Sequence, residues 1–519
     1  MFNDIGSIVT CTMPSAIHLD GDALTLEQLV AVACDFAPVS LADSARARVL
    51  ASRAVVEEFA QRGEPTYGIN TGFGDFAEVA IPADSVAELQ VNLLRSHAAG
   101  VGDPLPVPIV RATMALRANV LAKGFSGIRL ETLEPLVALI NHRIHPVVPS
   151  RGSVGASGDL APLAHLALVL IGEGEAWRGR EIEPGAAALR AAGLTPATLA
   201  AKEGLALING TQASTALLGL TLDDAVRLAR AADIVAAMSI DALRGSTRPF
   251  DQRIHRARGF AGQEQSAENL RTLLVDSAIN ASHANCGRVQ DAYSMRCTAQ
   301  VHGAAREALA FAHNVFGVEA NAATDNPMVF ANEREIVSGG NFHGAPVGLA
   351  SDVVCLALAQ LATISERRCE RLVNPTLSGL PPFLARHGGL QSGLMIVQVT
   401  AAALTSELKT MAHPASADSI PTSGNREDHV SMSMAAGLKA ARAAEIACHV
   451  IACELLCACE AIDLLRPLTS SAPLMRVHDF IRTRVPAVER DRSLSPDLRT
   501  VSNTIVSGDL ERACALKVN

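Results

Sequence analysis

The chain has 519 residues, 49% of them hydrophobic but only 3% aromatic, and a formal net charge of −9. Length alone suggests roughly 3–4 domains, and a core poor in aromatics must be built of Ala, Leu, Val and Ile, which favours close-packed helices over sheets. No basic block supports nucleic-acid binding, and the 11 scattered cysteines have the spacing of neither a disulfide framework nor a zinc site.

A reducing, cytoplasmic compartment is expected from that cysteine usage. No signal peptide and no membrane span of ~20 residues is expected. Residues 1–16 read as an extension ahead of the fold. "RGEPTYGINTGFGDF", residues 62–76, reads as a loop. "SVAELQVNLLRSHAAGVG" predicts a helix ended by Gly100, and "VPIVRATMALRANVLAKG" another ended by Gly124.

"GSVGASGDLAPLAHLAL", residues 152–168, then places three glycines ahead of an apolar helix. A dinucleotide loop needs G-x-G-x-x-G, a P-loop needs Gly-Lys-Ser/Thr, and a nucleophile elbow needs G-x-S-x-G; all three fail here. Two readings remain. Asp159 caps the next helix after a flexible turn. Alternatively, a tightly bent backbone brings the Gly158 nitrogen against the Ala156 carbonyl carbon, and cyclisation with loss of water, including the Ser157 hydroxyl, leaves an electrophilic methylene.

The second half predicts long helices at about 345–373, from 392 to a stop near Pro414, and from His429 to Leu465. Cys453, Cys457 and Cys459 read as small apolar residues on a buried helix. These helices are apolar on more than one face, which requires burial on all sides. A homo-oligomer whose core they build is expected. The corresponding division is an N-terminal domain over 17–215, a central long-helix bundle over 216–466 and a C-terminal helical segment over 467–519.

Only two tyrosines occur, Tyr67 and Tyr293, both in polar surroundings. A phenol acts as acid or base only with a lowered pKa, from a nearby cation or from donors to the phenolate. Arg296 lies three residues after Tyr293 and shares its face if the segment is helical. Its planar fork matches a carboxylate.

The blocks "YGINTGFG", "NLLRSHAAGVG", "GSVGASGDLAPLAHLAL", "KEGLALINGTQA", "VQDAYSMRC", "NAATDNP", "SGGNFHG", "LPPFL" and "HPASADSIPTSGNREDHVSM" follow one another from about residue 17 to about 510. In this the chain resembles the aromatic amino acid ammonia-lyase family. The likeness is greatest to the members acting on histidine, through Ser96-His97 and Glu427; a carboxylate and a histidine can hold an imidazole, whereas a benzene ring offers neither handle.

The resemblance implies a mainly α fold, a long-helix bundle of the fumarase/aspartase-like superfamily with a mixed N-terminal domain, assembled as a homotetramer with sites shared between subunits. It implies elimination of ammonia from L-histidine to give trans-urocanate. The alternative is a lyase or 2,3-aminomutase acting on tyrosine, phenylalanine or another aryl amino acid. The electrophile implied is a 4-methylidene-imidazol-5-one formed from Ala156, Ser157 and Gly158, with Asp159 supporting the loop. Tyr67 is the implied base, and Tyr293 and Glu427 complete the catalytic set. Arg296 binds the carboxylate, Asn209 and Gln290 contribute hydrogen bonds, Phe342 packs near the electrophile, and His97, with Met395, faces the imidazole. Asp75, Gly424 and Arg426 depart from the expected family pattern. No metal, nucleotide or pyridoxal cofactor is indicated, and no nucleic-acid or membrane partner; the partner is a small amino acid substrate.

Overall fold

The computed structural model describes residues 16–62, 65–72, 74–284, 286–287 and 289–518. Residues 1–15 of the expected extension lie outside these, as does the side chain of Asp75. The fold is mainly α. Among the described residues, the chain divides into two compact units, each drawn from separate stretches of sequence: those up to 220, with 315–348 and 415–437, form the first, and those of 221–314, 349–414 and from 438 onward the second.

The first unit carries short helices and small sheets. Ile17–Leu19 pairs in parallel with Val39–Leu41, and Val101–Pro104 pairs antiparallel with Pro149–Arg151. A three-stranded sheet runs in the order His145–Pro146, Glu175–Arg178, Glu181–Pro184, and Met328–Phe330 pairs with Glu335–Val337. At its centre lies the Val107–Ala122 helix, in which every residue from Ile109 to Ala122 is buried. Gly124, at φ +84°, takes the left-handed conformation that ends it. The preceding helix, Val86–His97, stops short of Gly100, because the backbone turns at Ala98 into the Val101–Pro104 strand.

A fully buried ion pair also belongs to this unit: Lys202 Nζ lies 3.0 Å from Asp325 Oδ2. It ties the entrance of the Glu203–Ile208 helix to the segment carrying Asn326, which lines the cavity described below.

The second unit is helical, containing Gln252–Arg258, Ala261–Leu273, Ala472–Arg482 and Ser495–Val506 beside most of the long helices. Those long helices are Gln212–Ala242, Thr298–Glu319, Ala345–Val373 and Ser433–Leu464. Ala345–Val373 coincides with the range predicted from sequence, and Met395–Met411 falls within its predicted range. The last helix starts at Ser433 rather than His429, because Met432 has φ +53° and its N–H donates to Val154 O instead of a helical carbonyl. Cys453, Cys457 and Cys459 are buried along it.

The helices are not purely apolar inside. Asp233 accepts hydrogen bonds from His302 Nδ1 at 2.7 Å, Arg306 at 2.6 Å and Ser266 at 2.7 Å, and the Arg368 guanidinium donates to both Glu454 oxygens at 2.5 and 3.0 Å. One helix, Ala345–Val373, is by length and composition apolar enough to cross a membrane, and 67% of its most apolar stretch is buried within the structure.

Removing one partner of a buried ion pair strands a charge, at a cost of about 3–5 kcal/mol. Lys202→Met is therefore expected to lower the unfolding free energy by about that amount, measured by urea denaturation. The double variant Lys202→Met/Asp325→Leu is expected to recover most of it. Equal losses in the single and double variants would contradict the pairing.

Candidate active site

The glycines of residues 152–159 have specific partners. At Gly155, φ +70°, a Cβ would stand 2.2 Å from Ser433 Oγ and 2.3 Å from Ser431 Oγ. At Gly158, φ +74°, it would stand 2.3 Å from Gly210 O. The loop is thus gripped between residues 431–433 and Gly210, closer than any side chain permits.

Hydrogen bonds fix this grip. Met432 N–H donates to Val154 O at 2.8 Å, and Gly344 N–H and Ser431 Oγ donate to Gly155 O at 3.0 and 2.9 Å. Asp159 N–H donates to Gly210 O at 2.7 Å, and Asn209 Nδ2 to Ser157 O at 2.8 Å. Asn209 Oδ1 is buried without a hydrogen-bond partner.

Asp159 occupies the position before the Leu160–Leu170 helix, yet its side chain does not cap that helix. The fully buried carboxylate accepts instead from Ser153 Oγ at 3.0 Å and from Ser214 N and Oγ at 2.7 and 2.8 Å. It therefore sits at the N-terminus of the Gln212–Ala242 helix, where exposed amides and the helix dipole favour a negative charge. Burial nevertheless pushes its pKa up, against the hydrogen bonds from Ser214 and Ser153.

Beside this loop lies a cavity of about 400 Å³, lined by Tyr67, His97, Ala156, Ser157, Asn209, Phe342 and Glu427. Glu427 Oε1 accepts from the Ser157 hydroxyl, and Oε2 from Thr422 Oγ1 and Ser423 Oγ at 2.5 and 2.9 Å. Burial would raise its pKa, but these three hydroxyls and the neighbouring His97 outweigh it and hold the carboxyl below its usual range. Glu427 is an anion here.

His97 Nδ1 lies 2.8 Å from Leu93 O. A carbonyl only accepts, so Nδ1 carries the hydrogen and Nε2 is left as an acceptor. Burial lowers the His97 pKa, against Leu93 O and Glu427, so the ring is neutral near pH 7. Tyr67 is half-buried; burial is the larger cause raising its pKa, the Glu427 charge adds to it, and the Gly74 N–H on the phenol oxygen opposes it. The lowered pKa that sequence reasoning asked of a phenolic base is absent here, because burial disfavours the phenolate and the Glu427 charge adds to that.

The other expected residues lie in the second unit and do not line this cavity. Tyr293 and Arg296 share one helical turn, Tyr293–Arg296, with the guanidinium 4.7 Å over the phenol ring; Arg296 Nε is buried without a partner and Tyr293 is 70% exposed. Gln290 lines a separate cavity of about 460 Å³ with Arg244 and Arg371. Met395 opens the Met395–Met411 helix and is half-buried.

Sequence reasoning missed His343 and His429, whose rings stack at 5.8 Å on the cavity wall, and Asn326 and Leu205, which line the same cavity. The signal was present: both histidines adjoin motif residues already singled out, in "NFHG" and "EDHV". Gly424, at φ +62°, occupies a left-handed turn between Ser423 and Asn425, which explains a glycine there. Among the described residues, no group of three or more His, Cys, Asp or Glu side chains is placed to hold a metal ion.

The cavity therefore offers a neutral imidazole acceptor and a carboxylate, both suited to ring N–H groups, beside a closely packed Ala-Ser-Gly turn. A model of the aromatic amino acid lyase family matches residues 24–483. The chain is 54% identical over 497 residues to the histidine ammonia-lyase of Stigmatella aurantiaca, spanning 96% of this chain and 98% of that protein. Among solved structures it is similar to histidine ammonia-lyase from Trypanosoma cruzi, with TM-score 0.90 and 44% identity over 96% of this chain and 95% of that one. It is also similar to tyrosine aminomutase from Streptomyces globisporus, with TM-score 0.93 and 37% identity over 97% and 100%. Likeness of this extent assigns the chain without ambiguity: it belongs to the aromatic amino acid lyase family.

Proposed function

We propose that the protein is a carbon–nitrogen lyase that eliminates ammonia from L-histidine to give trans-urocanate. One observation carries the choice of substrate: the acceptor nitrogen of neutral His97 and the Glu427 anion belong to the same cavity as Ser157. The names borne by the relatives support it.

The residues fit a 4-methylidene-imidazol-5-one made from Ala156, Ser157 and Gly158. Gly158 lies in a cradle that a Cβ would fill, Asn209 already holds Ser157 O, and Asn209 Oδ1 keeps a free acceptor. Such a group supplies an electrophile for the substrate amine, turning a poor leaving group into a better one. The chain's own residues do the rest. His97 accepts an imidazole N–H, and Glu427 holds the other side of the ring and sets its protonation. Tyr67 removes the β proton, Asn209 fixes the loop oxygen, Asp159 braces the loop, and Phe342 packs beside it.

The turn carrying Tyr293 and Arg296, with Gln290 and Met395, completes the site from a neighbouring subunit of a homotetramer. Arg296 offers its fork to the substrate carboxylate. Exposed apolar residues at helical spacing support such an assembly: Phe311 with Val318, Leu349 with Leu356, and Ile396 with Val399. The compartment is cytoplasmic in this reading, supported by the ten described cysteines, none of which is in a disulfide.

Purified enzyme given L-histidine, L-tyrosine and L-phenylalanine is expected to release urocanate, followed in the ultraviolet, with histidine far preferred. Glu427→Gln is expected to cost histidine turnover about tenfold to a hundredfold more than aryl turnover, the worth of a hydrogen bond to a charged group. Coumarate, cinnamate or a β-amino acid as main product would replace this substrate assignment.

Tyr67→Phe is expected to cut kcat by about 10²–10⁴-fold with the assembly intact. Since burial and Glu427 raise the Tyr67 pKa, the base form grows as pH rises, so kcat/KM climbs into the alkaline range. Glu427→Gln removes one raising influence, and the climb is expected at lower pH. An unmoved profile would remove Tyr67 as the titrating base.

A further inference from the structure

Two arginines on the buried Val107–Ala122 helix have their side chains inside the protein, Arg111 and Arg117, 1% and 0% exposed. Each directs its guanidinium at carbonyls near helix C-termini, where the last acceptors lack intrahelical partners and the helix dipole favours a cation. Arg111 donates to Val32 O at 2.9 Å and to Ile140 O at 3.0 Å. Arg117 donates through Nε to Ala206 O at 3.0 Å and through Nη1 to Asn209 O at 3.1 Å and Gln212 Oε1 at 2.7 Å.

Their chemistry is alike, but what they hold differs. Arg117 clamps the end of the Glu203–Ile208 helix and the residues that follow it. Those residues make the contacts with the Ala-Ser-Gly loop: Asn209 Nδ2 on Ser157 O and Gly210 O on Asp159 N. Gln212 is itself braced, its Nε2 donating to Thr324 Oγ1 at 2.6 Å. A Cβ on Gly210 would stand 2.4 Å from Arg117 Nη1, so the backbone rests directly on the guanidinium.

We infer that Arg117 is a positioning residue for ring closure at Ala156-Ser157-Gly158. It touches neither the loop nor the cavity. It fixes Asn209 and Gly210 from beneath, and they hold the tripeptide bent with the Gly158 nitrogen toward the Ala156 carbonyl carbon. Closing the ring forms that N–C bond and releases two molecules of water, one including the Ser157 hydroxyl. The fork is essential, because a lysine ammonium is a single point charge that cannot hold Ala206 O, Asn209 O and Gln212 in one plane. This inference rests on the proposal that the ring forms.

The test compares Arg117→Lys, Gln212→Met and Arg111→Lys with the wild-type chain. The fraction of tryptic peptide Gly152–Arg178 lighter by two waters is read by mass spectrometry, and thermal unfolding is read on the same samples. Arg117→Lys is expected to lower the matured fraction at least tenfold, and Gln212→Met by a smaller factor in the same direction. Arg111→Lys is expected to shift melting as much as Arg117→Lys while its peptide stays matured. Should Arg117→Lys fail to fold, Gln212→Met against Arg111→Lys decides. A matured fraction equal to wild type in the Arg117 and Gln212 variants, or an equal loss in Arg111→Lys, overturns the inference. An unmatured peptide in the wild type would instead overturn the proposed prosthetic group.

Discussion

The site depends on one close approach. Residues 155–158 pass between the backbone of Gly210 and the hydroxyls of Ser431 and Ser433 at distances that leave no room for a Cβ at either Gly155 or Gly158. Removing those two side chains lets three distant stretches of sequence meet: the loop, the segment after the Glu203–Ile208 helix, and the segment before the Ser433–Leu464 helix. Glycine costs conformational entropy on folding, and the hydrogen bonds from Asn209, Met432, Gly344 and Ser431 offset part of that cost.

Around this loop the protein separates its charges by environment. Glu427 stays ionised because three hydroxyls point at it, whereas Asp159, though better buried and at a helix N-terminus, is pushed up by desolvation. His97 is kept neutral by burial and given a fixed tautomer by Leu93 O. The result is an anion and a neutral acceptor in one cavity, a pairing that suits a ring with N–H groups and gives a phenyl ring nothing to bind. Burial holds the Tyr67 phenol up, and the same anion adds to it.

Much of this was legible in the sequence. Low aromatic content pointed to helices, the Ala345–Val373 helix could be bounded from apolar spacing alone, and the three glycines announced an unusual turn. What they turn against was not legible, since Gly210 and Ser431 are far away in sequence and each looks ordinary in place. Asp159 reads as a cap for the helix it precedes, yet its carboxylate serves the start of Gln212–Ala242. Residues 429–432, ahead of the Ser433–Leu464 helix, read as its first turn because Met432 looks like one more apolar helical residue, whereas its amide is committed to Val154. Arg117 was invisible for a related reason: only the fold reveals that helix-end carbonyls surround it.

Diffraction from crystals of the fully matured protein tests the central claim most directly. The account predicts electron density for a closed five-membered ring spanning Ala156, Ser157 and Gly158, with Asn209 Nδ2 still on the Ser157 carbonyl oxygen and Glu427 facing it. A linear Ala-Ser-Gly backbone in active protein, with the serine hydroxyl intact on Glu427, would contradict it.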